Sequence, residues 1–174
     1  MYFLKRTWAE INLDSLKANL NNYKKHLAPA TELMCVVKAN CYGHCDSAIA
    51  PLLENELGVK WFAVSNIIEA EHLRKLGIKG AILILGYTPP EETDALIKYD
   101  IIQACTEYDY AVQLNNATSR PIRIHIALDT GMGRLGFPIN EESVDKIVEI
   151  SKLPNVVMEG MYTHFAKADE TDKS

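Results

Sequence analysis

The sequence predicts an α/β fold on a parallel sheet, assembled from about six βα units in succession. Three observations lead there. Short apolar runs rich in β-branched residues recur at intervals of roughly 20 to 34 residues, enough for a crossover helix to return the chain to a parallel neighbour. Successive positions within the runs are apolar, as in strands covered on both faces. The intervals carry helical periodicity. Six such strands fit either a doubly wound sheet or part of a (β/α)8 barrel of the TIM type, which when closed needs eight strands and about 250 residues.

Taken in order, Leu13, Leu16, Leu20, Tyr23 and Leu27 recur at steps of three and four and predict a helix, with Asp14 as its N-cap. After Pro29, residues 34–37 predict a first strand that delivers Lys38 to a strand-to-loop junction. A helix through Ala48 to Leu57 follows, closed by Gly58, and Pro51 pushes its first turn to Ile49 or later. Residues 61–64 predict a second strand, and 67–76 a helix ended by Gly77. Residues 81–85 predict the third strand; Pro89-Pro90 and the acidic Glu91-Glu92 open the next helix. Strands at 101–105, 122–128 and 156–162 alternate with helices at 108–115 and 141–153. No crossover helix follows the sixth strand, so the 174 residues read as an incomplete barrel.

Hydrophobic residues make up 48% of the chain, enough for a core, and charged residues 24%, which argues against both disorder and a membrane protein. A net charge of −5 without a basic cluster argues against a nucleic-acid partner. No apolar run approaches the roughly 18 residues of a membrane span, and the start lacks the apolar core of a signal peptide. The expected location is the cytoplasm. There, Cys35, Cys41, Cys45 and Cys105 are expected as thiols. Cys41, His44 and Cys45 offer three ligands in five residues, but no second pair completes a tetrahedron unless the fold recruits Cys105 or His125. No metal site is predicted.

The segment Lys38-Ala39-Asn40-Cys41-Tyr42-Gly43-His44 carries the strongest chemical signal. Strand C-termini are where chemistry collects in α/β folds, and an amine held among apolar walls becomes a nucleophile as its pKa falls. From the residues alone, Lys38 is equally the first solvated residue after a strand. Arg134, on a glycine-rich loop, reads either as an anion ligand or as a surface arginine. His164, at the end of the sixth strand, reads either as a site residue or as a satisfied core histidine. His26 and His72 read as solvated helix positions. Gly131-Met132-Gly133-Arg134-Leu135-Gly136 matches the dinucleotide pattern G-x-G-x-x-G, yet Phe137-Pro138 follows and no helix is predicted to start within it, so that reading is rejected.

The lysine segment resembles the pyridoxal phosphate attachment motif of the alanine racemase family. Asp129-Thr130-Gly131-Met132-Gly133-Arg134-Leu135-Gly136, Thr163-His164-Phe165-Ala166 and the opening Arg6-Thr7-Trp8-Ala9-Glu10-Ile11 resemble the same family in the same order, over essentially the whole chain. The resemblance implies a barrel followed by a mostly β C-terminal domain, absent here. Residues 14–174 would be the first three quarters of the barrel, and residues 1–13 would pair with the missing domain. It implies pyridoxal 5'-phosphate as cofactor, held by Lys38 as a Schiff base, with the freed amine acting as base on one face of the substrate. Tyr42 would reach the cofactor phosphate, Arg134 the cofactor's phenolic oxygen and the substrate carboxylate, and His164 the pyridine ring; Asn40 and Asp129 would support these groups.

The function implied is the interconversion of L- and D-alanine, supplying D-alanine to the cell wall, by an isomerase acting as a homodimer. The alternatives are a non-catalytic pyridoxal phosphate-binding barrel and a serine or broad-specificity amino-acid racemase. Two departures from the family stand out. Ala127 occupies the position where many relatives carry a carbamate-bearing lysine that positions the arginine. The second base, a tyrosine from the C-terminal domain of a partner subunit, is missing, so the 174-residue chain is expected to be weakly active or inactive. An open sheet edge also predicts that the isolated chain associates.

Overall fold

The computed structural model describes residues 7–171; Arg6 of the opening motif, and with it residues 1–6 of the segment expected to meet a further domain, lie outside the described residues. The elements run α1 (Leu13–Lys25), β1 (Met34–Val36), α2 (Lys38–Gly43), α3 (Asp46–Asn55), β2 (Trp61–Val64), α4 (Ile67–Lys75) and β3 (Ala81–Ile84). A 3₁₀ turn (Pro90–Glu92) leads into α5 (Thr93–Lys98), β4 (Ile102–Cys105), α6 (Tyr108–Ala117), β5 (Ile122–Asp129), β6 (Phe137–Pro138), α7 (Glu141–Ile150) and β7 (Val156–Thr163).

All strand pairings among the described residues are parallel, and each long strand lies beside the next in sequence: β1-β2-β3-β4-β5, with β7 on the far side of β5. A doubly wound sheet reverses its order at a switch point, and this one does not. The two faces of the sheet settle the matter. Phe62, Ile82, Ile84, Ile124 and Ile126 point outward into a core shared with Ala70, Leu73, Leu96, Ala111 and Leu114 of the helices. Ala63, Leu83, Ile102 and Ala104 point the other way into a cluster built from strand residues, with Met34 of β1 and Tyr162 of β7 packed against it. Residues from both ends of the sheet thus meet in one interior, so the sheet is curled with its helices outside. The chain forms a partial (β/α) barrel.

Local chemistry fixes the helix starts. Asn12, Asn66 and Asn140 each accept a backbone N–H three residues on, at 2.9, 3.0 and 2.8 Å. Asn12 therefore caps α1; Asp14, expected in that role, sits in the first turn, where its charge still favours the helix N-terminus. The helix α3 starts at Asp46, earlier than expected, and contains Pro51. The proline costs one helical hydrogen bond, offset by the burial of Ile49, Ala50, Leu52 and Leu53 on the core. The two-residue β6 pairs with Leu128 and Asp129 and was not foreseen, because two residues carry no periodicity. His72, expected on a solvated face, is half-buried, with its Nε2 3.3 Å from Asp46 Oδ1, and links α4 to the start of α3. His26 is exposed and follows the end of α1 as its C-cap. Cys45 is likewise exposed, whereas Cys41 packs in the core; all four cysteines are free.

Arg74 closes the base of the barrel. Its guanidinium donates to four backbone carbonyls, Tyr99 O (2.8 Å), Ile78 O (2.8 Å), Gly80 O (2.7 Å) and Asp100 O (3.0 Å), joining the loops that precede β3 and β4. Inside the barrel, β5 places Arg123 between Asp100 (2.7 Å) and Glu159 (2.8 Å), with His125 two residues above it. Burial holds the His125 imidazole below its ordinary pKa, and its ring lies 6.0 Å from that of Trp61. Among the described residues, no helix is long and apolar enough to cross a membrane.

Candidate active site

Lys38 follows β1 and Arg134 follows β5, while His164 follows β7 directly. All three therefore sit at C-terminal strand ends, on one rim of the curled sheet. There they line a cavity of about 290 Å³ together with Tyr42. Val36, Leu85, Leu128, Met132 and Leu135 supply its apolar walls, and Ala127 and Tyr162 lie at the same site. All four residues singled out in the sequence thus meet at one place. Asp129 also lines the cavity; Asn40 does not, and its role is local.

The connection from Lys38 to Tyr42 has no precedent in the periodicity of the sequence. In α2, Ala39, Asn40, Cys41 and Tyr42 all adopt left-handed helical geometry, with φ between 51° and 54°. None is glycine, so each costs about 1–2 kcal/mol relative to ordinary backbone. Surrounding bonds hold the turn. Cys41 N–H donates to Val37 O (3.0 Å), Cys45 N–H to Asn40 O (3.1 Å), and Asp46 N–H to Asn40 Oδ1 (2.8 Å). His44 Nδ1 donates to Cys41 O at 2.9 Å. Cys41 turns inward, and burial pushes its thiol up to about 12, which makes it an inert packing group. Lys38 and Tyr42, four residues apart, come to the same side of the turn and face the cavity.

One carboxylate anchors the start of this turn. Glu69 Oε1 accepts from Ala39 N–H at 2.9 Å, and Glu69 Oε2 accepts from Ser65 N–H at 2.7 Å. Sequence reading missed Glu69, although Asn66-Ile67-Ile68-Glu69 has the spacing of a capping box, a visible signal.

The loop bearing Arg134 is folded by Asp129, whose Oδ1 accepts from Gly131 N–H (3.0 Å) and Gly133 N–H (2.9 Å). Gly136 has φ +114°, and a Cβ there would lie 2.7 Å from Ala127 O, so only glycine lets β6 close on β5. Thr130 and Thr163 hydroxyls pair at 2.6 Å and tie the loop to the end of β7. No helix begins within the glycine-rich segment; α7 starts only after Asn140, and the dinucleotide reading stays excluded. The amides of Gly133 and Gly131 hold the Asp129 carboxyl below its ordinary 3.8. A carboxylate held low orders its partners above that value and releases them as pH falls through the depressed one. The Asp129 carboxyl resonance is expected to titrate below pH 3.8, with the Gly131 and Gly133 amides losing exchange protection in step. Titration at or above the ordinary value would contradict this loop geometry.

The position of the expected lysine holds the Ala127 methyl, and across the strand pair stands Tyr162. Burial raises the Tyr162 phenol above its ordinary pKa, while the positive charge of Arg134 opposes the shift. The donor set of the cavity comprises an amine, a guanidinium, two phenols, an imidazole and the Ser65 hydroxyl, between apolar walls. The Asp129 carboxylate is engaged by the loop amides. This chemistry suits an aromatic ligand that carries anionic groups. Among the described residues, no group of three or more His, Cys, Asp or Glu side chains is placed to hold a metal ion.

Comparison with known proteins agrees with this geometry. The chain is 47% identical to alanine racemase 1 of Clostridium acetobutylicum over 98% of its own length and 44% of that protein's. It superposes on the alanine racemase of Clostridium difficile, solved in complex with cycloserine, with a TM-score of 0.92 at 42% identity, covering 99% of this chain and 48% of that one. A histidine racemase from Leuconostoc mesenteroides is also similar, with a TM-score of 0.83 and 28% identity over 91% of this chain and 43% of that one. The chain spans about half the length of the relatives it matches. The model of the alanine racemase N-terminal domain matches residues 11–174. With motifs, barrel and cavity in agreement with these matches, the chain belongs to the alanine racemase family.

Proposed function

We propose that the protein carrying this chain is a pyridoxal 5'-phosphate-dependent isomerase that interconverts L-alanine and D-alanine. The observation that carries the reading is the convergence of Lys38, Tyr42, Arg134 and His164 on one cavity at the strand C-termini. Lys38 would hold the cofactor through Nζ, Tyr42 would donate to its phosphate, Arg134 to its phenolic oxygen, and His164 would stand beside its ring. When bound, the cofactor supplies an electron sink for charge developing at the substrate Cα.

The chain's own residues do the rest. Lys38 Nζ, once free, takes the α-proton on one face of the substrate. The Arg134 guanidinium orients the substrate carboxylate, and Met132 and Leu135 line the same cavity with apolar surface. A proton for the opposite face comes from a second base, by family resemblance a tyrosine of a C-terminal domain on a partner subunit. Residues 1–13 would pair with that domain in a cytoplasmic homodimer, and the D-alanine formed would serve the cell wall. The 174-residue chain alone would then exchange the α-proton with solvent on one face and hardly invert alanine. Isotope exchange set against polarimetry checks this: robust inversion by the pure chain contradicts it.

Steady-state kcat/KM on alanine against serine separates this reading from a serine or broad-specificity racemase, and on this reading alanine is the better substrate. Borohydride reduction of the cofactor-loaded protein followed by peptide mapping tests the reading. The label is expected on Lys38, and a label elsewhere overturns it.

A further inference from the structure

The four consecutive left-handed residues after Lys38 raise a physical question: what holds a strained, glycine-free turn at the rim of a cavity? Bonds within the turn tie it to itself and to α3. The first strained residue, Ala39, is tied elsewhere, to Glu69 at the start of α4. In an ordinary capping box the glutamate at this position reaches back to the N–H of the capping residue, here Asn66. Glu69 reaches past it to Ser65 N–H (2.7 Å), and its other oxygen crosses to Ala39 N–H (2.9 Å). Both bonds are charge-assisted and of full-strength length. Ser65 itself lines the cavity. One carboxylate thus joins the ends of two adjacent strands, β1 and β2, at the point where the lysine leaves the sheet.

We propose that Glu69 is a positioning residue for Lys38: by gripping the Ala39 amide it fixes the entry to the left-handed turn and so the direction in which the Lys38 amine is presented. The proposal rests on the reading of Lys38 as the cofactor-bearing lysine, and it deepens that reading by assigning the group that aims it. The carboxylate is required for its two equivalent acceptor oxygens. An amide in its place offers one acceptor, and its NH2 faces the second N–H donor to donor. An aspartate keeps the charge at the α4 N-terminus and can still serve Ser65 in its own loop. Being one methylene shorter, it does not span to Ala39.

The test uses the intact protein freed of cofactor, with Glu69→Gln, Glu69→Asp and, as a control, Asn66→Ala, which removes the α4 cap without touching the turn. Pyridoxal phosphate is added, the rate of its capture is followed by absorbance, and the adduct is reduced and mapped. Deuterium exchange across residues 38–43 is measured without cofactor. Both Glu69 variants are expected to capture the aldehyde at Lys38 about tenfold more slowly, roughly the loss of one such bond at the transition state. Their exchange is expected to accelerate across 38–43 and not in β3 or β4, while Asn66→Ala matches the parent in both readouts. Parental capture and exchange in the Glu69 variants overturns the proposal. So does equal slowing by Asn66→Ala, which would mean that loosening α4 is sufficient. If Glu69→Gln does not fold, Glu69→Asp decides on the same readouts. If the parent captures no aldehyde at Lys38, the cofactor reading fails on its own, and the exchange arm still judges the tie between Glu69 and the turn.

Discussion

Lys38→Ala is expected to lower the racemisation rate of the intact protein by at least about 10⁴-fold, the scale of losing a nucleophile and a general base together. Among the described residues no other amine lines the cavity, and the guanidinium of Arg134 is no substitute for a nucleophilic amine. The fold should survive, because the Lys38 side chain lines the cavity and makes no hydrogen bond among the described residues, whereas the turn is held by its own backbone together with Asn40 and Glu69. Lys38→Arg keeps the charge but not the nucleophile and is expected to fall as far as the alanine variant. Rates of inversion measured by polarimetry, with circular dichroism to confirm folding, check both. Activity within tenfold of the parent in either variant would remove Lys38 from the chemistry.

The largest stability effect is expected at Arg74, far from that rim. Arg74→Ala withdraws donors from four carbonyls in the loops before β3 and β4. An unpaired buried acceptor costs about 1–3 kcal/mol, and water reaches some of these oxygens once the side chain is gone, so the net loss is about 3–5 kcal/mol. For a chain of this size that lowers Tm by about 10–15 °C. Arg74→Lys is expected to recover less than half, because three donors on one nitrogen cannot fan over four oxygens as a planar guanidinium does. Urea titrations of the three proteins give the comparison. An unfolding free energy for Arg74→Ala within about 1 kcal/mol of the parent would show that solvent satisfies these carbonyls as well as Arg74 does.

The contrast between these residues shows how far the sequence can be read. Lys38 stood out because strand and loop chemistry meet at it over a few neighbouring positions. Arg74 did not, since its partners lie between 4 and 26 residues away and are backbone oxygens that any sequence would supply. The caps divide in the same way. Asn12, Asn66 and Asn140 are ordinary capping residues placed just before helical periodicity, yet Asp14 was the candidate at the first of them. The two positions are both plausible, and only backbone geometry at Asn12 separates them. Pro51 misplaced the start of α3 because local propensity disfavours a proline within a helix, and four buried side chains override it.

The sequence by itself determined six of the strands and the crossover helices between them and, through motifs resembling a known family, pointed to Lys38, Tyr42, Arg134 and His164, because each of these signals lies within a short window of chain. Only the tertiary structure decided that the strands add in order and curl into a barrel, since which strand lies beside which depends on contacts distant in sequence. It also decided that four non-glycine residues wind left-handed beside Lys38, held by Glu69 from 30 residues away. Local energetics disfavour that conformation, and a strained backbone persists only where distant groups hold it in place.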